Sequence, residues 1–153
     1  MYNDKYMDIA YDEAIIGLNA KNGGPFGAVI TQGEKFISSA HNSVLMTKDP
    51  TAHAEINAIR EASHVLNNYD LSDCTLYTTC EPCPMCLGAI LWARIKTVYY
   101  TSTKDDATKA GFDDKYFYEM IEIKNININI QQINDHKSKK LWELWKKSNS
   151  KIY

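Results

Sequence analysis

Apolar and polar positions along the first third of the chain follow two different periods. From Tyr6 to Leu18 the apolar residues recur three and four positions apart, which is typical of a helix that buries one face. Segments 26–31 and 35–42 carry strand-forming residues on either side of Gln32-Gly33-Glu34. Two such runs joined by a short loop that contains glycine predict a hairpin.

The middle of the chain predicts two helices that alternate with two strands. Asp49-Pro50 combines a capping residue with a proline at the first helical position, and predicts that a helix begins there. Six residues are expected to form its buried face: Ala54, Ala58, Ile59, Ala62, Val65 and Leu66. Strands are predicted over 74–79 and 97–101, and a second buried helix over 82–92.

The last third predicts a loop over 102–112, a short helix over 114–122, a strand over 125–130 and a closing helix over 135–147. The strand is predicted because Asn and Ile alternate there, which gives one buried face. Strands that alternate with helices after an initial hairpin indicate an α/β layered fold with a sheet of mixed direction. No repeat or linker interrupts the 153 residues, so we expect one domain that spans 1–153.

Composition and charge narrow the possible function classes. No apolar stretch approaches the roughly 18 residues that a membrane span needs. Residues 1–8 lack a positively charged start followed by an apolar run, so we expect no secretion signal and a cytoplasmic protein. A dedicated nucleic-acid binder is usually basic, and the net charge of -2 argues against one.

The chain has four cysteines, at positions 74, 80, 83 and 86. Two disulfides would account for them, but three cysteines within seven positions and no secretion signal favour metal binding or catalysis. The spacing of Cys80, Cys83 and Cys86 resembles an iron–sulfur motif, yet the fourth cysteine followed by proline is missing. We therefore expect Cys74 and Cys80 to be buried without binding metal.

Two motifs combine to predict a catalytic zinc site: His53-Ala54-Glu55 and Pro82-Cys83-Pro84-Met85-Cys86. Each lies where a helix is predicted to begin, and the partial positive charge of a helix N-terminus favours the thiolate that binds metal. His53, Cys83 and Cys86 supply one imidazole and two thiolates. Three protein ligands plus water are typical of catalytic zinc, whereas a structural site has four.

The pairing of H-x-E with P-C-x-x-C resembles the signature of zinc-dependent nucleobase deaminases. Over nearly its whole length the chain resembles the cytidine deaminase-like superfamily, and within it bacterial guanine deaminases most of all. The matching stretches are Gly23–Ile30, Asp49–Glu55, Cys80–Ile90 and Ala110–Asp114. The first three are shared with tRNA adenosine deaminases and fungal-type cytosine deaminases, while the fourth is more particular to the guanine group.

This resemblance implies a three-layer α/β/α fold with a central mixed sheet of about five strands. It implies that His53, Cys83 and Cys86 hold one zinc ion per chain. Glu55 would move the protons when guanine is hydrolysed to xanthine and ammonia. As the alternatives, the same chemistry on tRNA adenosine or on cytosine stays open, and so does a non-enzymatic zinc-binding module.

The resemblance also implies which residues contact the substrate. Asn42 and the backbone N–H of Ala54 would hydrogen-bond the base, and Phe26 would line or stack on the pocket. Asp114 would contact the base or act as a second proton shuttle, although the residues alone do not distinguish it from Asp113. Phe26 as a core residue and Asn42 as an ordinary turn residue remain alternatives.

The C-terminal segment is expected to take part in a homodimer. By the resemblance, residues 135–153 are exchanged between subunits, and Tyr153 covers the neighbouring site. Lysines interleaved with tryptophans between 137 and 147 also fit an RNA-binding segment. An amphipathic closing helix with solvated lysines is the favoured interpretation.

Overall fold

The computed structural model describes residues 2–122, 143–144 and 146–148. Its described part contains a four-stranded sheet with the order β2-β1-β3-β4. The strands are β1 (Gly27–Gln32), β2 (Lys35–His41), β3 (Cys74–Cys80) and β4 (Thr97–Ser102). β1 pairs antiparallel with β2 and β3, and β3 pairs parallel with β4, so the predicted mixed sheet is confirmed.

Helices cover both faces of this sheet, because successive side chains of a strand point to opposite sides. On one face, α1 (Asp4–Asn19) packs Tyr6 and Met7 against Val29 and Tyr77. On the other, α3 (Ala54–Leu66) and α4 (Pro84–Trp92) enclose a core that contains Ile30. The predicted α/β/α layering is therefore confirmed.

Three shorter helices complete the described part: α2 (Val44–Thr47), α5 (Lys104–Lys109) and α6 (Asp114–Glu122). The helix predicted over 114–122 is confirmed, whereas the loop predicted over 102–112 is wrong because α5 lies within it. Thr103 caps α5 through a reciprocal pair of hydrogen bonds with Asp106. No helix in these ranges is long and apolar enough to cross a membrane.

Two helix starts differ from the prediction. α3 begins at Ala54, four residues after Pro50, because Asp49 accepts hydrogen bonds from the Thr51 backbone and hydroxyl and so caps a turn. α4 begins at Pro84 and not at Pro82.

One residue that was predicted to be buried in α3 is exposed. Val65 is 51% exposed, because it lies in the last turn of α3 and nothing in the described ranges covers it. The strand predicted over 125–130 lies outside the described residues. So does most of the closing helix predicted over 135–147, of which 143–144 and 146–147 are described and helical.

Candidate active site

Two helix starts bring the predicted ligands together. His53 is the N-cap residue of α3 and Cys83 is the N-cap residue of α4, both with extended backbone. N-cap side chains commonly accept a hydrogen bond from their own helix. Neither of these does so, which leaves the imidazole and the thiol free to face each other.

The ligand atoms have the spacing of a tetrahedral zinc site. His53 Nδ1 lies 3.6 Å from Cys83 Sγ and 3.5 Å from Cys86 Sγ. Zinc bonds of about 2.3 Å to sulfur and about 2.1 Å to nitrogen, at a tetrahedral angle, place sulfur and nitrogen about 3.6 Å apart. His53, Cys83 and Cys86 therefore fit one zinc ion, with His53 binding through Nδ1.

The Cys83 and Cys86 thiols lie next to each other and differ in acidity. A hydrogen bond from the Cys86 thiol, opposed by burial and helped by His53, lowers the pKa of Cys83 to about 4. The neighbouring Cys83 sulfur and burial raise the pKa of Cys86. The hydrogen bond with Cys83 likewise raises the pKa of His53. A cation held by these atoms would displace the remaining thiol proton, because cysteine binds metal as the thiolate.

Glu55 lies in the first turn of α3 beside this cluster and is 6% exposed. Its Oε1 accepts a hydrogen bond from the Thr78 hydroxyl at 3.3 Å, and its Oε2 accepts one from the Cys86 thiol at 3.5 Å. Burial raises the pKa of the Glu55 carboxyl. A carboxyl buried beside the ligand cluster is placed to take up and return a proton.

A cavity of about 380 Å³ opens beside the cluster, within the range of small-molecule sites. We call it the site cavity. It is lined by Gly23, Gly24, Phe26, Asn42, Val44, Leu45, Pro50, His53, Glu55, Cys80, Glu81, Cys83, Phe112 and Asp114. The structure thus brings six of the predicted site residues onto one cavity: Phe26, Asn42, His53, Glu55, Cys83 and Asp114. Cys86 is fully buried and contacts His53 and Glu55.

The remaining predicted site residues are placed differently. Ala54 is fully buried and its side chain does not line the site cavity. As the first residue of α3 it has a backbone N–H without an intrahelical partner. Tyr153 lies outside the described residues. Asp114 lines the site cavity, whereas Asp113 is exposed and does not, so the geometry separates the two aspartates.

Asn42 is held in place by its neighbours. It is 5% exposed, and its Oδ1 accepts a hydrogen bond from the Val44 backbone N–H at 3.1 Å. Gly23 lies so close that a Cβ there would be 2.0 Å from Asn42 Oδ1. Val44 takes one of the two acceptor positions of the side-chain oxygen, and the amide nitrogen of Asn42 makes no hydrogen bond to the described residues, which leaves it for a ligand.

Sequence reasoning missed part of the cavity wall. The rings of Phe26 and Phe112 pack edge to face with their centroids 4.8 Å apart. Phe112 lies in the 110–114 stretch that carries the resemblance, but the resemblance assigns a role there to an aspartate and not to Phe112. Leu45 and Cys80 also line the wall, and no local pattern indicates them. Cys74 and Cys80 are buried outside the cluster, as predicted.

Comparisons with known proteins agree with this geometry. The chain is 52% identical over 122 residues to the guanine deaminase of Bacillus subtilis, which covers 80% of this chain and 78% of that enzyme. The crystal structure of guanine deaminase from Bacillus subtilis superposes with a TM-score of 0.93 at 44% identity, covering 100% of this chain and 99% of that chain. The resemblance inferred from the motifs is confirmed.

A second group of relatives is more distant. A tRNA-specific adenosine deaminase of Buchnera aphidicola is 44% identical over 96 residues, covering 63% of this chain and 64% of that protein. The family model described as the cytidine and deoxycytidylate deaminase zinc-binding region matches residues 1–102. These residues include every part of the predicted metal cluster and Glu55. The chain therefore belongs to the cytidine and deoxycytidylate deaminase family.

Proposed function

We propose that this protein hydrolyses guanine to xanthine and ammonia, with one zinc ion bound by His53, Cys83 and Cys86. The observation that carries the proposal is that Asn42, Glu55 and Asp114 line one cavity against the three-ligand cluster. The similarity to the Bacillus subtilis guanine deaminase over almost the whole chain supports guanine as the base. We also propose a cytoplasmic role in purine breakdown.

When bound, zinc supplies Lewis acidity that lowers the pKa of a water molecule to about 7. Glu55 would carry two protons in turn: the first passes from the attacking water to the ring nitrogen, and the second passes from the hydroxyl then carried by the base to the amine that leaves as ammonia. The burial of Glu55 supports this role. Burial raises the pKa of the carboxyl toward the pH at which the enzyme works, where a general acid–base group is most effective.

The wall residues orient the base. The Asn42 amide nitrogen donates to an acceptor on the ring edge, since its oxygen is held by Val44. The Ala54 backbone N–H at the start of α3 is a second donor. Asp114 accepts hydrogen bonds from N–H groups of guanine, and Phe26 packs against the ring. A polar site of this kind discriminates strongly against a base that leaves its groups unpaired.

Adenosine in tRNA is the second candidate substrate, because the chain is also similar to tRNA-specific adenosine deaminases. The net charge of -2 argues against it, since cationic contacts with phosphate supply most non-specific affinity for nucleic acid.

We propose a homodimer in which segment 135–153 is exchanged and Tyr153 covers the neighbouring site. The described residues beside the site cavity support a covering segment. Phe117 and Ile121 of α6 are 50% and 54% exposed, and a contiguous exposed apolar patch commonly marks an interaction surface.

An ammonia-release screen with zinc-loaded protein tests the substrate. Guanine should be turned over well, while adenine, cytosine and a tRNA anticodon stem-loop should be poor or inert. Asp114→Ala should lower guanine turnover and keep zinc, whereas the matched control Asp113→Ala should behave like wild type. Preference for tRNA at physiological salt, or an inert Asp114→Ala substitution, would contradict the assignment to guanine.

A further inference from the structure

A group of side chains outside the ligand cluster joins α5 and α6 to the loop 81–83 that precedes α4. Glu81 Oε2 accepts a hydrogen bond from the Lys104 backbone N–H at 2.9 Å, at the start of α5. Glu81 Oε1 accepts one from the Lys104 ammonium at 3.1 Å. Glu81 lies two positions before Cys83, so these hydrogen bonds tie α5 to the loop that carries this ligand.

Tyr118 makes the corresponding contact from α6. Its hydroxyl donates a hydrogen bond to the Pro82 carbonyl at 2.6 Å, next to Cys83 in the chain. The Lys104 ammonium lies 5.4 Å from the centre of the Tyr118 ring, within the range of a cation–π contact. Burial raises the pKa of Tyr118 to about 12, so the hydroxyl keeps its proton and remains a donor at neutral pH.

Tyr118 lies four residues after Asp114 on the same helix, so the two side chains project from one face of α6. Asp114 is the first residue of α6 and lines the site cavity. A rigid helix anchored at Tyr118 thus fixes the distance between Asp114 and the loop that carries Cys83. Tyr116, on the same helix, is 52% exposed, and its hydroxyl makes no hydrogen bond within the described ranges.

We propose that Tyr118 is a positioning residue: its hydrogen bond to Pro82, supported by the Glu81–Lys104 pair, holds Asp114 in the orientation that the base requires. This inference rests on the proposed deamination of guanine. A displacement of about 1 Å in a substrate-orienting group can cost roughly 100-fold in rate. Loss of one hydroxyl at this contact is therefore expected to reduce turnover without loss of the metal.

The test uses Tyr118→Phe with Tyr116→Phe as the matched control. Tyr118→Phe should keep its zinc and its melting temperature within a few degrees, while kcat/KM for guanine falls about 10-fold or more. Tyr116→Phe should match wild type in all three measurements. Wild-type kcat/KM in Tyr118→Phe would overturn the proposal, and so would loss of zinc.

A double variant separates positioning from a general structural role. If Tyr118 acts through Asp114, then Tyr118→Phe combined with Asp114→Ala should lose no more activity than Asp114→Ala alone, because the two substitutions are coupled. Losses that multiply would show that Tyr118 acts independently of Asp114 and would contradict the inference.

Hydrogen–deuterium exchange tests whether Tyr118 anchors α6 without the use of any substrate. Amides in the first turns of α6 should exchange faster in Tyr118→Phe than in wild type or Tyr116→Phe. Equal exchange in the three proteins would overturn the anchoring contact. If wild-type protein fails to release ammonia from guanine, the proposed function fails, and the exchange rates still decide whether Tyr118 anchors α6.

Discussion

Cys80 and Cys83 are three residues apart, yet their thiols have opposite acidities. Burial raises the pKa of Cys80 to about 12, with a further contribution from the negative charge of Asp114. The hydrogen bond from Cys86 lowers the pKa of Cys83 to about 4. The surroundings of each sulfur, and not spacing along the chain, therefore decide which of the two cysteines is the more acidic.

Substitution of single cysteines should separate the two zinc ligands from the two cysteines that do not bind zinc. Cys83→Ala or Cys86→Ala should lose zinc and much of the stability, because metal binding is coupled to folding. Cys74→Ala and Cys80→Ala should keep one zinc per chain. Elemental analysis and thermal unfolding decide, and an iron–sulfur chromophore or full zinc in Cys83→Ala would contradict the site.

Replacement of Glu55 should separate catalysis from stability. Glu55→Gln keeps the shape of the side chain but cannot accept a proton, so turnover of guanine should fall by ~10²–10⁴-fold or more while zinc is retained. A near-normal rate in this variant would remove Glu55 from the mechanism.

The same variant should change how stability depends on pH. Burial raises the pKa of Glu55 above its ordinary value of 4.5, so the folded protein holds this proton when the unfolded chain has lost it. The free energy of unfolding therefore falls as pH rises from 4.5 through the raised pKa. At equal zinc content, Glu55→Gln should gain in melting temperature relative to wild type as pH increases.

At the scale of elements, the turn before β1 supports the end of β2 by close contact. Gly23→Ala would place a Cβ 2.0 Å from Asn42 Oδ1 and 2.7 Å from the Asn42 carbonyl oxygen. Asn42 must then move, and KM for guanine should rise on the order of 10-fold. Gly88→Ala is the matched control, because a Cβ at Gly88 in α4 meets nothing within 4 Å.

Steady-state kinetics and thermal unfolding check this pair. Gly88→Ala should keep wild-type kinetics and gain up to about 1 kcal/mol in unfolding free energy from helix propensity. Equal KM values in the two variants would show that Asn42 does not depend on the turn.

Strong local patterns predict the sheet and the long helices correctly. The start of α3 and the presence of α5 depend on capping hydrogen bonds that the sequence does not predict reliably. The residue pair Asp49-Pro50 is typical of a helix start. However, Asp49 accepts its hydrogen bonds from Thr51 in a turn, and α3 begins only at Ala54. α5 was missed because its reciprocal cap pairs Thr103 with Asp106 and not with the more familiar Glu or Gln.

In the candidate site, the metal ligands could be predicted from the sequence, whereas the contacts between distant residues could not. His53, Cys83 and Cys86 were predictable because a metal requires particular residue types at particular intervals. The packing of Phe112 on Phe26 and the contact of Tyr118 with Pro82 join residues that are distant in sequence. No local spacing records such pairs, so only the folded chain places them.

At the scale of the whole molecule, the proposed exchange of the C-terminal segment makes each site depend on a second subunit. Deletion of 148–153 should leave zinc binding and the melting temperature nearly unchanged, because the segment is short and terminal. Turnover should fall if the segment excludes water from the site. Full activity of the truncated protein would contradict the exchanged segment as a cover of the site. So would a fully active wild-type protein that light scattering shows to be a monomer.

All four cysteines are buried, and two of them, Cys80 and Cys83, line the site cavity. Cys74 begins β3 and Cys80 ends it, while Cys83 and Cys86 belong to the start of α4. A thiol reagent can reach a buried sulfur only when the surrounding structure opens, so alkylation rates measure local opening. Peptide mapping after brief labelling in chelator should find Cys83 modified first, because it lines the site cavity and its pKa is lowered. Cys74 should follow only when the sheet itself comes apart.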